Sequence, residues 1–178
     1  MSYHNQAVEN AAFEKQKWLI ARLQRKNITV IDVGGHIGES IEKYRLLFPD
    51  CRVYSFEPHP ESFNILEQQY MPWNGVRCER LALGAKSGTA TFYATRCSEA
   101  SSLLPPEDLL RKRSAKRNYD FLKMEVPMDT LDRVAARLSL TGIDILKMDV
   151  QGSELQVLGG AAEGGAIKGR SRLINFSL

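Results

Sequence analysis

The chain has 178 residues, of which 43% are apolar and 25% charged. That size and balance suit one globular domain with a single substantial core, and exclude a collagen-like, low-complexity or disulfide-stapled chain. The net charge of +3, from 24 Lys+Arg against 21 Asp+Glu, is too weak to argue by itself for nucleic acid. Three cysteines (Cys51, Cys78 and Cys97) without a C-x-x-C fit reduced thiols in a cytoplasmic protein. His4, His36 and His59 have no metal-ligand spacing, so no metal site is expected. No apolar run approaches ~18 residues, and the polar N-terminus lacks the pattern of a signal peptide. No membrane association is expected.

Residues 7–26 carry Val8, Ala12, Trp18, Leu19 and Leu23 at roughly helical spacing, which predicts an N-terminal helix within 1–27. Ile28 to Val33 reads as a buried strand, β-branched and ended by glycines. Residues 39–48 place Ile41, Tyr44, Leu47 and Phe48 on one helical stripe, and Pro49-Asp50 ends it. Arg52 to Phe56 is a second strand. Pro60 suits the first turn of a helix continued by Phe63, Leu66 and Tyr70. Val76 to Leu83 is the third strand candidate. This β-α-β-α-β run with short links predicts an open parallel sheet, doubly wound with helices on both faces.

The pattern then loosens over an insertion or lid, 89–128. Residues 89–93 and 124–126 can pair as an added hairpin. Between them lie Ser101-Ser102, Pro105-Pro106 and the basic run Arg111 to Arg117. A solvated loop is the plainer reading of that run, and a lid attracting an anionic acceptor the sharper one. Asp129 is the expected N-cap of a helix with Leu131, Val134 and Leu138 inward. Ile143 to Met148 is the fourth parallel strand, 153–161 a helix, and Arg172 to Leu178 a fifth strand. The whole of 1–178 is expected to be one domain, with 28–88 as the cofactor-binding half and 129–178 as the second half.

Two constellations point to a nucleoside-containing cofactor. Asp32-Val-Gly34-Gly35-His36-Ile-Gly38 follows the first strand and opens a helix, where glycines allow close backbone approach and the helix supplies free N–H groups. Glu57 ends the second strand, where a carboxylate can accept both hydroxyl protons of a ribose. The acid at position 32 disfavours a dinucleotide pyrophosphate but suits an ammonium and a sulfonium, the charges of S-adenosylmethionine. A third, Leu146 to Glu154 at the tip of the fourth strand, sets Asp149, Gln151 and Glu154 beside the same crevice. Capping of the next helix by Asp149 or Ser153 is its structural alternative.

In these segments the chain resembles the FkbM-type methyltransferases. The resemblance is carried by Ile31 to Ser40, Val53 to Pro58, Leu81 to Gly84 with Gly88, Ser101-Ser102-Leu103, Val126 to Asp132, and Ile145 to Leu155 with Gly160-Ala161, in family order. It implies a Rossmann-like class I fold and S-adenosylmethionine as cofactor, with S-adenosylhomocysteine as product. Asp32, Gly34, Gly35, His36 and Gly38 would hold the methionine part, Glu57 with Pro58 the ribose, and Ala82 and Leu83 the adenine. Asp149 is the first candidate for the catalytic base or for orienting the acceptor, with Glu154 and His36 behind it, and Ser101, Ser102 and Gln151 would touch the acceptor, a small molecule or glycan. This chain departs from the family at Gly35-His36, where Ala-Asn is usual, at Arg80, often Asn, and at Ser177, near a frequent Glu. The class usually adds an antiparallel strand pair beyond strand five. Here that pair is expected to be missing or replaced by the hairpin, which leaves a sheet edge suited to a homodimer. A cofactor-binding homologue without turnover and another nucleotide-cofactor enzyme are the competing readings; RNA as substrate is the remoter one.

Overall fold

The computed structural model describes residues 14, 15, 17, 18, 20, 21, 27–95, 100–105 and 121–161, and the backbone of 173–176. The basic run 111–117, Cys97 and Ser177 lie outside the described residues, as do Val8, Ala12, Leu19 and Leu23. In chain order the elements are β1 (Thr29–Val33), α1 (Glu39–Leu47), β2 (Arg52–Phe56), α2 (Pro60–Tyr70), β3 (Val76–Glu79), β4 (Ala82–Leu83), β5 (Gly88–Thr95), β6 (Phe121–Asp129), α3 (Leu131–Arg137), β7 (Ile145–Met148), α4 (Glu154–Gly159) and β8 (Leu173–Phe176).

The main sheet has the order β3-β2-β1-β7-β8, and every pair in it is parallel. β1 is buried along its whole length, as a central parallel strand covered on both faces must be. Its alternate residues feed two cores. Val30 joins Tyr44 and Phe48 of the α1 segment and Phe63, Leu66 and Tyr70 of α2 on one face. Ile31 and Val33 join Leu131, Val134 and Val157 from α3 and α4 on the other. The sheet is therefore doubly wound, as the strand–helix alternation predicts. Chain order runs outward from β1 in both directions, so the topological switch lies between β1 and β7, where such folds bind their ligands.

A second, three-stranded sheet has the order β4-β6-β5. β5 and β6 form the expected hairpin, longer than its sequence core, with Gly88↔Met128 to Thr95↔Phe121 in antiparallel register. The expected third strand is broken in two. Burial alternates from Val76 to Glu79, but Ala82 and Leu83 are both buried, and they enter different cores. The chain leaves the main sheet after Glu79, and β4 pairs with β6 instead.

Two smaller differences have local causes. Thr130, not Asp129, caps α3: its hydroxyl accepts the Arg133 N–H at 3.2 Å. Asp129 ends β6, and its carboxylate accepts the Thr130 N–H and Arg133 Nε. At the N-terminus Trp18 is 58% exposed, whereas Ile20 is buried in the first core. Ile20 thus enters the core, and Trp18 stands mostly outside it. Trp73, by contrast, packs edge-on against Tyr70 at 5.2 Å.

Gly38 illustrates how tightly the loop after β1 is seated. It precedes α1 with φ +99°, and a Cβ there would overlap the Tyr70 ring. Tyr70 is itself buried and donates its hydroxyl to Glu42 of α1 at 3.0 Å. Gly38→Ala combines a left-handed backbone with overpacking, so it is expected to lower unfolding free energy by about 2–4 kcal/mol. Urea denaturation checks this, and a loss under about 1 kcal/mol would mean that Tyr70 swings aside.

Candidate functional site

The carboxyl ends of β1, β2 and β7 converge at the switch point. Val33 leads into Gly34, whose φ is +78° and whose Cβ position would overlap the Asp149 carbonyl oxygen after β7. Only glycine lets the two strand ends approach this closely. The amides of Gly34 and Gly35 both donate to the Phe56 carbonyl, at 2.9 and 3.2 Å. His36 follows in a left-handed conformation with φ 51°.

That turn delivers the His36 N–H to Glu57. Glu57 Oε2 accepts it at 2.8 Å, and Oε1 accepts the His59 N–H at 2.8 Å. Glu57 is only 6% exposed. Burial pushes its carboxyl above the ordinary range, while the His59 and His36 amides oppose the shift. Each oxygen keeps a further lone pair, so the group can still accept two hydroxyl donors. Its position at the tip of β2, beside the switch point, is the one a ribose acid needs. Pro58, partly buried, lies between Glu57 and His59. His59 caps α2 by accepting the Ser62 N–H, and its ring meets Phe92 of the hairpin at 6.3 Å. The hairpin therefore sits beside the Glu57 turn.

Asp32 has a different setting from the one expected. It is fully buried, with Oδ1 3.0 Å from Lys147 Nζ and Oδ2 accepting from Ser40 at 2.6 Å and Ser55 at 3.1 Å. In the sheet register Ser55, Asp32 and Lys147 stand side by side on β2, β1 and β7. Lys147 also reaches the Gly34 carbonyl at 3.5 Å. Asp32 thus braces the glycine loop from beneath instead of presenting its carboxylate to a ligand. The reason is strand alternation: Asp32 shares the face of Val30, under α1.

His36 Nδ1 approaches Glu39 at 3.5 Å, and that contact holds the Glu39 carboxyl below its ordinary range, against the effect of burial. Ala82 and Leu83 are 3% and 2% exposed and are enclosed in two apolar clusters. Their side chains close cores, so only the backbone there is left to meet an adenine.

Beyond β7, Asp149 donates its amide to Val33 at 2.9 Å, and its Oδ1 accepts Gln151 Nε2 at 2.9 Å. Burial raises the Asp149 carboxyl above its ordinary range, offset in part by the charge of Lys147. Gln151 and Gly152 are both left-handed, with φ 53° and 102°. Glu154 accepts the Gly152 N–H at 3.1 Å, which ties it to this turn. Ser153 stands at the N-cap of α4 without a side-chain cap bond, so neither it nor Asp149 caps that helix through its side chain.

Ser101 and Ser102 are buried, 8% and 2% exposed. Ser101 accepts the Thr95 N–H at 3.0 Å. Ser102 Oγ lies 3.0 Å from the Gln151 carbonyl and 3.3 Å from that of Val150, and accepts the Leu104 N–H. Both hydroxyls are engaged within the fold, which corrects the expectation that they face an acceptor. Lys147, Ser40 and Ser55 are the residues that sequence reasoning missed. A lone cation in Ile-Leu-Lys-Met and a lone acid in Thr-Val-Ile-Asp-Val, both in strands otherwise apolar, were the available signal. Among the described residues no cluster of His, Cys, Asp and Glu is arranged to hold a metal, and no helix is long and apolar enough to cross a membrane.

Comparison with known proteins agrees with this architecture. The 2-O-methyltransferase NoeI of Sinorhizobium fredii is 21% identical over 86% of this chain and 65% of its own length. The methyltransferase sdnD of Sordaria araneosa is 27% identical over 77% of this chain and 61% of its own. Methyltransferase 1 of Beauveria bassiana is 27% identical over 74% and 57%. The chain thus spans about three fifths of the length of these curated relatives. The methyltransferase FkbM domain model matches residues 32–174, from the buried acid of β1 into β8. With that match over most of its length, on a mostly parallel, doubly wound Rossmann-like sheet, the chain belongs to the FkbM methyltransferase domain family.

Proposed function

We propose that this domain is an S-adenosylmethionine-dependent methyltransferase acting on a hydroxyl oxygen of a small molecule or glycan. The observation that carries the proposal is Glu57, a buried carboxylate fixed at the switch point by the His36 and His59 amides, with acceptor capacity left for two hydroxyls. The oxygen acceptor is supported by the name of one relative, a 2-O-methyltransferase. When bound, the cofactor supplies the electrophilic methyl carbon, so the protein has to align and deprotonate the acceptor.

In this reading Glu57 binds the ribose and the loop 34–38 lies against the amino-acid part. Asp149 Oδ2 receives the acceptor proton, while Gln151 holds Oδ1. The raised affinity of Asp149 for a proton suits a base working nearer neutrality than an ordinary aspartate.

Isothermal titration tests the cofactor assignment: heat with S-adenosylmethionine and S-adenosylhomocysteine, and none with NAD. Binding of NAD alone would replace the proposal with a nucleotide-cofactor enzyme of another kind. For Asp149→Asn, methyl transfer from labelled cofactor to a panel of hydroxylated glycans is expected to fall about a hundredfold or more, with cofactor affinity within about twofold. Equal loss of both would make Asp149 a cofactor or structural residue.

A further inference from the structure

Asp149 is held unevenly. Its backbone is fixed on one side by the hydrogen bond from its N–H to the Val33 carbonyl and by the close approach of Gly34. Its carboxylate depends for direction on Gln151 Nε2. Gln151 is a non-glycine residue with φ 53°, followed by Gly152 at φ 102°. Such a turn costs free energy and persists only when its surroundings hold it. Ser102 holds it. The Ser102 hydroxyl, 2% exposed, is 3.0 Å from the Gln151 carbonyl, the nearer of the two carbonyls it reaches. Ser102 is itself anchored, because its amide and carbonyl both pair with Tyr93 of β5, at 3.2 and 2.9 Å.

We infer that Ser102 is a positioning residue for Asp149, acting through Gln151, and that it couples the insertion between β5 and β6 to the reacting end of the crevice. The chain of contacts runs from β5 through Tyr93 to Ser102, then through the Gln151 backbone to its side chain and to Asp149 Oδ1. Ser101 is its internal contrast: a neighbouring buried hydroxyl that accepts from Thr95. Calling the crevice end reacting rests on the methyltransferase reading above; the coupling itself does not.

The charged groups acting on Asp149 are Lys147 on the same strand, Asp32 on β1 and Glu154 on α4. None of them is altered by a change at Ser102. The bond from Gln151 favours the ionised carboxylate, so losing it raises the pH at which Asp149 titrates. A merely structural serine would lower thermal stability without moving that titration.

The test follows the Asp149 carboxyl by carbon-13 NMR, assigned through its disappearance in Asp149→Asn. Ser102→Ala and Gln151→Leu are each expected to raise the titration midpoint by about half a unit or more, and Ser101→Ala to leave it in place. Affinity for S-adenosylhomocysteine should stay within about twofold in Ser102→Ala. An unmoved midpoint in Ser102→Ala, or an equal shift in Ser101→Ala, overturns the inference. Should Ser102→Ala not fold, Ser102→Cys, with its weaker thiol donor, takes its place under the same two outcomes. Failure of the wild-type chain to bind S-adenosylhomocysteine would refute the proposed function but leave the titration to decide the coupling.

Discussion

Glu57→Gln is expected to weaken binding of S-adenosylmethionine about a hundredfold, because two hydrogen bonds to a charged acceptor are replaced by weaker or mismatched ones. The amide also sets a donor against one of the two backbone N–H groups that Glu57 now accepts, from His36 and His59. The glycine loop should therefore loosen as well, with a modest drop in thermal stability. Titration calorimetry on the folded variant measures the affinity directly, and unchanged affinity would remove Glu57 from the ribose site. The same carboxyl predicts a pH dependence. Burial raises its folded pKa above the ordinary value of 4.5, and the ionised form is the acceptor. Affinity should thus begin to fall on acidification at a higher pH than for an exposed glutamate. The sign for stability is opposite: the charged group costs folding free energy as pH rises above 4.5, and that cost vanishes on acidification.

Lys147→Met should have the largest effect on stability. It removes the cation from beside Asp32, which is fully buried and cannot regain water. Breaking a buried pair by deleting one partner costs about 3–5 kcal/mol, more than deleting both. The double variant Asp32→Asn with Lys147→Met should therefore recover part of the loss, since Ser40 and Ser55 can rearrange around a neutral amide. Urea unfolding of the two variants gives the comparison. If the double variant is less stable than Lys147→Met alone, the pair is not the brace beneath the glycine loop.

The sequence made the main sheet legible because its evidence is local. Buried β-branched strands, the Pro60 helix start and the glycines after β1 each carry their own signal, and each element stands close to where it is expected. What failed was information held between elements. The break between β3 and β4 leaves no glycine or proline, because it comes from Ala82 and Leu83 entering separate cores. Ser101 and Ser102 look like polar loop residues until the hairpin and the β7 turn close over them. Asp32 was legible as important but not as internal; only the alternation from Val30, read together with Lys147 on the adjacent strand, sets it beneath the loop. The side chains of Ala82 and Leu83 are hidden for the same reason: they complete two cores and leave only backbone to face a ligand.

The most direct measurement is a crystal structure of the chain grown with S-adenosylhomocysteine. The ligand is expected across the ends of β1, β2 and β7, with both ribose hydroxyls within hydrogen-bond distance of Glu57 and the Asp149 carboxylate facing the thioether end. A ligand bound elsewhere, or a Glu57 that keeps its two backbone amides and touches no ribose, would contradict it.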